Sequence, residues 1–200
     1  MRLEIVRPAS AALLSMLLTT LPAFAQDGAA PAQKPAQPAP SAGEARPCAS
    51  PEMRQFDFWI GEWNLVSRVR APDKDVWTEE KGTDSVRTVL NGCALLQEWN
   101  GTVGGQPLRG MSLTSWLPRS GEWQQAWSDD SGPNLLVFRG KMEDGRMVLT
   151  REVVIEGKTV LRRQVFHNIQ RASMDWVYEQ STDGGKTWTP TWKIHYTRKP

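Results

Sequence analysis

The chain has 200 residues, with 24 Lys and Arg set against 22 Asp and Glu, for a formal net charge of +2. That balance, with no block of like charges, speaks against a nucleic-acid or membrane-surface partner. Two His and two Cys stand at no metal-ligand spacing, so neither a metal nor any other cofactor is expected.

Residues 1–25 carry the marks of an export signal. Arg2 and Arg7 precede the apolar run Ala11–Leu18, and Ala23-Phe24-Ala25 forms an A-x-A cleavage pattern near Ala25. The apolar run is too short for a membrane span. A periplasmic or secreted location follows as the expectation. Residues 26–47 are almost all Ala, Pro, Gln, Gly and Ser. They cannot bury enough apolar surface to offset the entropy of ordering, so they read as a linker. Residues 48–200 then form one domain with room for a sizeable core. Cys48 and Cys93 are expected to pair, since export implies an oxidising compartment. The bridge would pin the start of the domain to the Asn91-Gly92-Cys93 turn.

Ser50-Pro51 opens a short helix, predicted through Phe56 or Phe58, because Ser can cap and Pro suits a first helical position. Ten strands follow, near Gly61–Val69, Thr83–Leu90, Leu95–Thr102, Gly110–Leu117, Glu122–Ser128, Leu135–Met142, Arg146–Ile155, Thr159–Ile169, Ser173–Gln180 and Thr187–Thr197. Turn signals separate them: Pro72-Asp73, Asn91-Gly92, Gly104-Gly105, Ser120-Gly121, Asp144-Gly145, Glu156-Gly157 and Gly184-Gly185. The connections are short and no βαβ spacing occurs. The fold class is therefore all-β, an antiparallel up-and-down barrel of about ten strands, with a two-sheet sandwich as the alternative.

Alternation assigns the faces. Trp192, Ile194 and Tyr196 point inward, as do Met174, Trp176, Tyr178 and Gln180, and as do Trp123, Gln125 and Trp127. His195 falls on the outer face. The strand around Arg162 is ambiguous, but Arg163 and His167 share the side of Leu161, Val165 and Ile169, which reads as inward. All ten Trp lie between Trp59 and Trp192. Such density means either an aromatic-lined pocket or bulky filler for a wide barrel.

The stretch Ser181 to Trp188, STDGGKTW, resembles the Asp-box of sialidases and related propellers. One copy without a blade repeat makes it a structural turn joining the last two strands, built on Asp183, Gly184 and Gly185, with Trp188 packed beneath. Gly61 and Trp63, in FDFWIGEW, are similar to the Gly-x-Trp signature of lipocalins. In that superfamily a terminal Arg covers the Trp, and Arg198 stands at the matching place. The longer set of Phe56 to Trp63, Gly92-Cys93, Trp123-Gln124, Ser181 to Trp188, and Tyr196 with Arg198 resembles a family of uncharacterised, often exported bacterial domains. That resemblance implies a lipocalin-like (calycin) barrel and no particular activity.

The expected function is capture of a small, partly apolar ligand in the lumen. Trp123, Trp127, Trp176 and Trp192 would line it, while Gln125, Arg163, His167, Tyr178 and Tyr196 would orient polar atoms. An enzyme is the alternative, an isomerase or hydrolase in which Glu98, Arg163, His167 and Tyr178 converge. An envelope interaction module, bound through the outer surface, is a third reading.

Overall fold

Strand follows strand around a closed barrel in the computed structural model, which describes residues 48–71 and 74–200. The predicted signal and linker, and the Pro72-Asp73 turn, lie outside the described residues. The strands are β1 (Gly61–Arg70), β2 (Trp77–Val89), β3 (Ala94–Val103), β4 (Gln106–Leu117), β5 (Glu122–Asp129), β6 (Leu136–Glu143), β7 (Arg146–Ile155), β8 (Lys158–His167), β9 (Ser173–Ser181) and β10 (Thr189–Arg198). Each pairs antiparallel with the next. β10 then returns onto β1, from Trp63 opposite Arg198 to Val69 opposite Trp192. That last pairing rules out an open sandwich and leaves no sheet edge exposed.

The turns explain why the order is sequential. Gly104-Gly105, Asp144-Gly145 and Glu156-Gly157 each join two strands through a pair of residues that both have positive φ. This backbone matches the right-handed twist of a hairpin. β2 starts at Trp77 and β4 at Gln106, both earlier than alternation predicts. The run Glu79-Glu80-Lys81 is charged on both faces and reads as loop. In the structure Glu80 turns inward, and its carboxylate accepts the Gly105 N–H at 2.6 Å.

The predicted helix is two 3-10 turns, Pro51–Arg54 and Asp57–Trp59. The Ser50 side chain makes no capping bond; its carbonyl accepts the Met53 N–H instead. So short a segment can bend across a barrel end only with tight turns. There it forms a plug. Phe56, Trp59 and Phe166 are almost fully buried. Phe56 meets Trp123 edge-on at 4.9 Å and Phe166 edge-on at 5.6 Å. The Cys48–Cys93 disulfide ties this plug to the turn before β3. Among the described residues, no helix is long and apolar enough to cross a membrane.

Gly61 and Trp63 lock the plug to the barrel. Gly61 has φ +135°, and a Cβ there would collide with Nη1 of Arg198. The Arg198 guanidinium lies 4.1 Å from the centre of the Trp63 ring. It donates to the carbonyls of Ile60, Phe58 and Arg171 at 2.6, 3.0 and 2.8 Å. Trp63 in turn donates from Nε1 to the Trp59 carbonyl at 2.8 Å.

The STDGGKTW loop is held from within. Asp183 Oδ1 accepts the N–H groups of Lys186 and Thr187, both at 3.0 Å, and Oδ2 accepts the Thr187 hydroxyl at 2.6 Å. Ser181 Oγ accepts the Gly185 N–H, and Trp188 Nε1 donates to the Gly185 carbonyl. These bonds, the Thr187 hydroxyl first, hold the Asp183 pKa down to about 2. A depressed carboxyl stabilises the fold above its unfolded pKa, and that contribution disappears as pH falls through the folded value. Thermal melts of Asp183→Asn should therefore show a lower midpoint at neutral pH. Between about pH 4 and pH 2 they should lose less than the parent does. Parallel curves for the two proteins in that window would contradict the assignment.

Candidate lumen site

Inward residues stack in layers along the barrel axis. Beside the plug stand Trp63, Trp123, Met147, Phe166, Met174 and Tyr196, all buried. Farther along, the strands turn polar and aromatic groups inward around a cavity of about 230 Å³. Its wall includes Trp99, Trp127, Phe138, Trp176, Tyr178 and Trp192, with Trp59 and Phe166 at the plug side. Trp176 meets Trp192 edge-on at 5.3 Å, and Trp192 meets Trp99 edge-on at 5.7 Å. Trp176 and Tyr178 are parallel within 4°. Trp127 lies over Gly110, where any Cβ would strike the indole, and its Nε1 donates to Asp129 at 2.7 Å.

A directional chain of hydrogen bonds crosses this aromatic wall. Trp176 Nε1 donates to Gln164 Oε1 at 3.1 Å. Gln164 donates to Gln125. Gln125 donates to Ser112 Oγ at 3.2 Å, and Ser112 to Gln97 Oε1 at 2.8 Å. Gln97 ends the chain by donating to Asp84 Oδ2 at 3.0 Å. Each amide spends its carbonyl on one neighbour and its NH₂ on the next, so these polar groups are satisfied in a low-dielectric interior. Register builds the row: Gln97 pairs with Ser112 across β3–β4, and Ser112 lies beside Gln125's strand on β5.

Asp84 sits behind the cavity wall, 1% exposed. Burial pushes its carboxyl well above the usual range, while the bond from Gln97 pulls the other way. Its Oδ1 has no hydrogen-bond partner among the described residues. The adjoining Tyr196 phenol is also pushed well up, first by burial and then by Asp84. Both groups thus favour their neutral forms.

The cavity runs away from the plug to the opposite end of the barrel, where Asp129, Leu136 and Arg162 stand in its wall. Asp129 is occupied there. Its Oδ1 accepts the backbone N–H of Ser131 at 3.1 Å, the Ser131 hydroxyl and Asn134 Nδ2, while Oδ2 holds Trp127.

Of the residues expected to line the lumen, the structure brings together Gln125, Trp127, Trp176, Tyr178, Trp192 and Tyr196. Trp123 is inward but stands in the plug layer, donating to Gln55 Oε1 at 3.2 Å, and takes no part in the cavity wall. Arg163 and His167 are corrected: both face outward. Val160, Arg162, Gln164 and Phe166 are the inward residues of β8, the last three in the cavity wall. The outer face of β8 is itself covered. Arg163 lies 3.9 Å above the Trp188 ring and pairs with Glu179 at 2.7 Å, while Leu161 meets Gly185. With apolar side chains on both faces, alternation loses its direction. Glu98 is outward too, 3.7 Å from Arg87. The acid–base set of Glu98, Arg163, His167 and Tyr178 therefore does not converge. The sequence reading also missed Gln97, Trp99, Arg162 and Gln164. The period-2 pattern Gln97-x-Trp99-x-Gly101 on β3 was a usable signal for the first two.

A family model described as "Protein of unknown function (DUF1579)" matches residues 49–198, and the chain belongs to that family. Among solved structures, Rv2717c from M. tuberculosis is similar at 12% identity and TM-score 0.50, over 76% of this chain and 99% of that one. The S-type phycobiliprotein lyase CPES from Guillardia theta is similar at 11% identity and TM-score 0.48, with the same coverage. At such identities the likeness to Rv2717c concerns the fold alone. A search of curated proteins gives no match.

Proposed function

We propose that this member of the DUF1579 family is an exported barrel that holds a small, partly apolar molecule in its lumen. The observation that carries the proposal is the cavity of about 230 Å³, walled mainly by rings and crossed by a satisfied amide row. Filler would close such a space. An apolar cavity of about 150 Å³ already accepts benzene in another protein, so one or two fused rings fit here. Preformed walls reduce the ordering cost of capture. Gln97, Gln125 and Gln164, each with one amide N–H left over from the row, supply the polar handles, and Trp127, Trp176, Trp192, Tyr178 and Tyr196 the contact area.

Export is supported by the signal pattern in residues 1–25 and by the Cys48–Cys93 disulfide, which belongs to an oxidising compartment. Residues 26–47 would serve as the linker to the domain that follows. No reaction is proposed, because Glu98 and His167 stand outside the lumen.

The test is native mass spectrometry of the full-length gene product purified from its own host. A co-purified mass is expected, lost on denaturation and absent from Ile194→Trp, which puts an indole in place of a smaller aliphatic side chain in the cavity wall. Protein that carries no adduct in any growth condition, or an adduct that Ile194→Trp retains, would defeat the proposal.

A further inference from the structure

We propose that the ligand is an anion, a flat aromatic carboxylate or comparable acid whose charged group is held by Arg162 with Arg151 beside it. This rests on the lumen-binding reading above. Arg162 is part of the cavity wall, and its register partner across β9 is the neutral Gln180. Among the described residues, no ion pair includes Arg162 or Arg151. The contrast with the adjacent residue is direct: Arg163, on the outer face, has its carboxylate in Glu179.

Among the described residues, none of the acids near this end is ion-paired with either guanidinium group. Asp129 stands in the cavity wall; partial burial raises its carboxyl, but bonds from Ser131, Trp127 and Asn134 outweigh that and keep it ionised, turned toward those neutral donors. Glu80 holds the Gly105 N–H and is no part of the cavity wall. Asp84 lies behind that wall at the far end of the amide row. Against the one carboxylate in the wall, that of Asp129, stand the two guanidinium groups of Arg162 and its β7 register partner Arg151, so the charge at this end of the cavity is net positive. A partly desolvated guanidinium without a counterion is costly, and a ligand carboxylate would relieve that cost through two parallel N–H···O bonds.

Tyr178 places both cations. Burial raises its phenol, and Arg162, followed by Arg151, opposes that rise. Arg151 also lies 5.5 Å from the Phe138 ring centre. The charged group of a ligand would thus sit beside Tyr178, with its ring system against the parallel Trp176 and Tyr178 side chains. The cavity's size limits that system to one or two fused rings.

Three probes on one ring separate the possibilities: 2-naphthoate, 2-naphthalenemethanol and 2-naphthylmethylammonium. Each is titrated into the full-length protein, stripped of any co-purified molecule, with Trp fluorescence and calorimetry as readouts. Naphthoate should bind about tenfold or more tightly than the alcohol, the worth of one charge-assisted pair. The ammonium probe should bind most weakly. Added salt should weaken naphthoate alone. Arg162→Gln should bring naphthoate to within about twofold of the alcohol measured on the same variant, and Arg151→Gln should narrow the gap partway. Near-UV circular dichroism checks that the variants keep the barrel. Should Arg162→Gln not fold, the probe order and the salt response of the parent protein decide the matter. Equal binding of all three probes, or a preference that survives Arg162→Gln, overturns the anion assignment and leaves lumen binding standing. Binding of none overturns both.

Discussion

Trp63→Ala is expected to cost about 3–5 kcal/mol, the range for deleting a large buried ring from a core. More than apolar area is lost. Trp63 is fully buried, donates to the Trp59 carbonyl, meets Tyr196 edge-on at 5.9 Å and carries Arg198 on its face. The cation–π contact alone is worth on the order of 1 kcal/mol. With the indole gone, Arg198 keeps its bonds to Phe58, Ile60 and Arg171 but loses the surface that orients it. Urea unfolding followed by circular dichroism measures the loss. Arg198→Lys separates the parts: lysine keeps the charge but lacks the planar fork that spans the three carbonyls and lies on the indole, so a smaller loss is expected. A Trp63→Ala cost under about 1 kcal/mol would mean that the plug does not depend on this pillar.

Removing the disulfide should have a comparable effect. Cys48 and Cys93 are 45 positions apart. Loop-closure entropy puts the stabilisation from a loop of that length at about 4 kcal/mol. Cys48 begins the described domain, and the two 3-10 turns of the plug follow it at once. Without the bridge, this segment is held by its side chains, the Arg198 bonds and the Trp63 bond to the Trp59 carbonyl. Cys48→Ala with Cys93→Ala should fold into the same barrel, with a urea midpoint lowered in proportion. Protection of plug amides from hydrogen exchange should fall more than protection of the strands opposite. An unchanged midpoint, or equal loss of protection throughout the barrel, would refute this account of the tie.

The strand order, the turn positions and most inward faces were legible because their signals are local. Gly104-Gly105, Asp144-Gly145 and Glu156-Gly157 need positive φ whatever surrounds them. Alternation in β5, β9 and β10 is clean because one face meets core and the other solvent. Gly61 and Trp63 carry their own signature, although the close approach of Arg198 that makes glycine necessary comes from the far end of the chain.

By itself, the sequence determined an all-β chain of sequential hairpins, a cysteine pair and a group of indoles turned to one side. Tertiary structure settled the expected barrel against the alternative sandwich, and it alone decided that Trp123 belongs to a plug and that Arg162 rather than Arg163 enters the lumen. The reason is physical. Which face of β8 is interior depends on Trp188 and Glu179, residues of β9 and the loop after it that cover the outer side and draw Arg163 to themselves. A strand with apolar neighbours on both faces carries no local record of its direction.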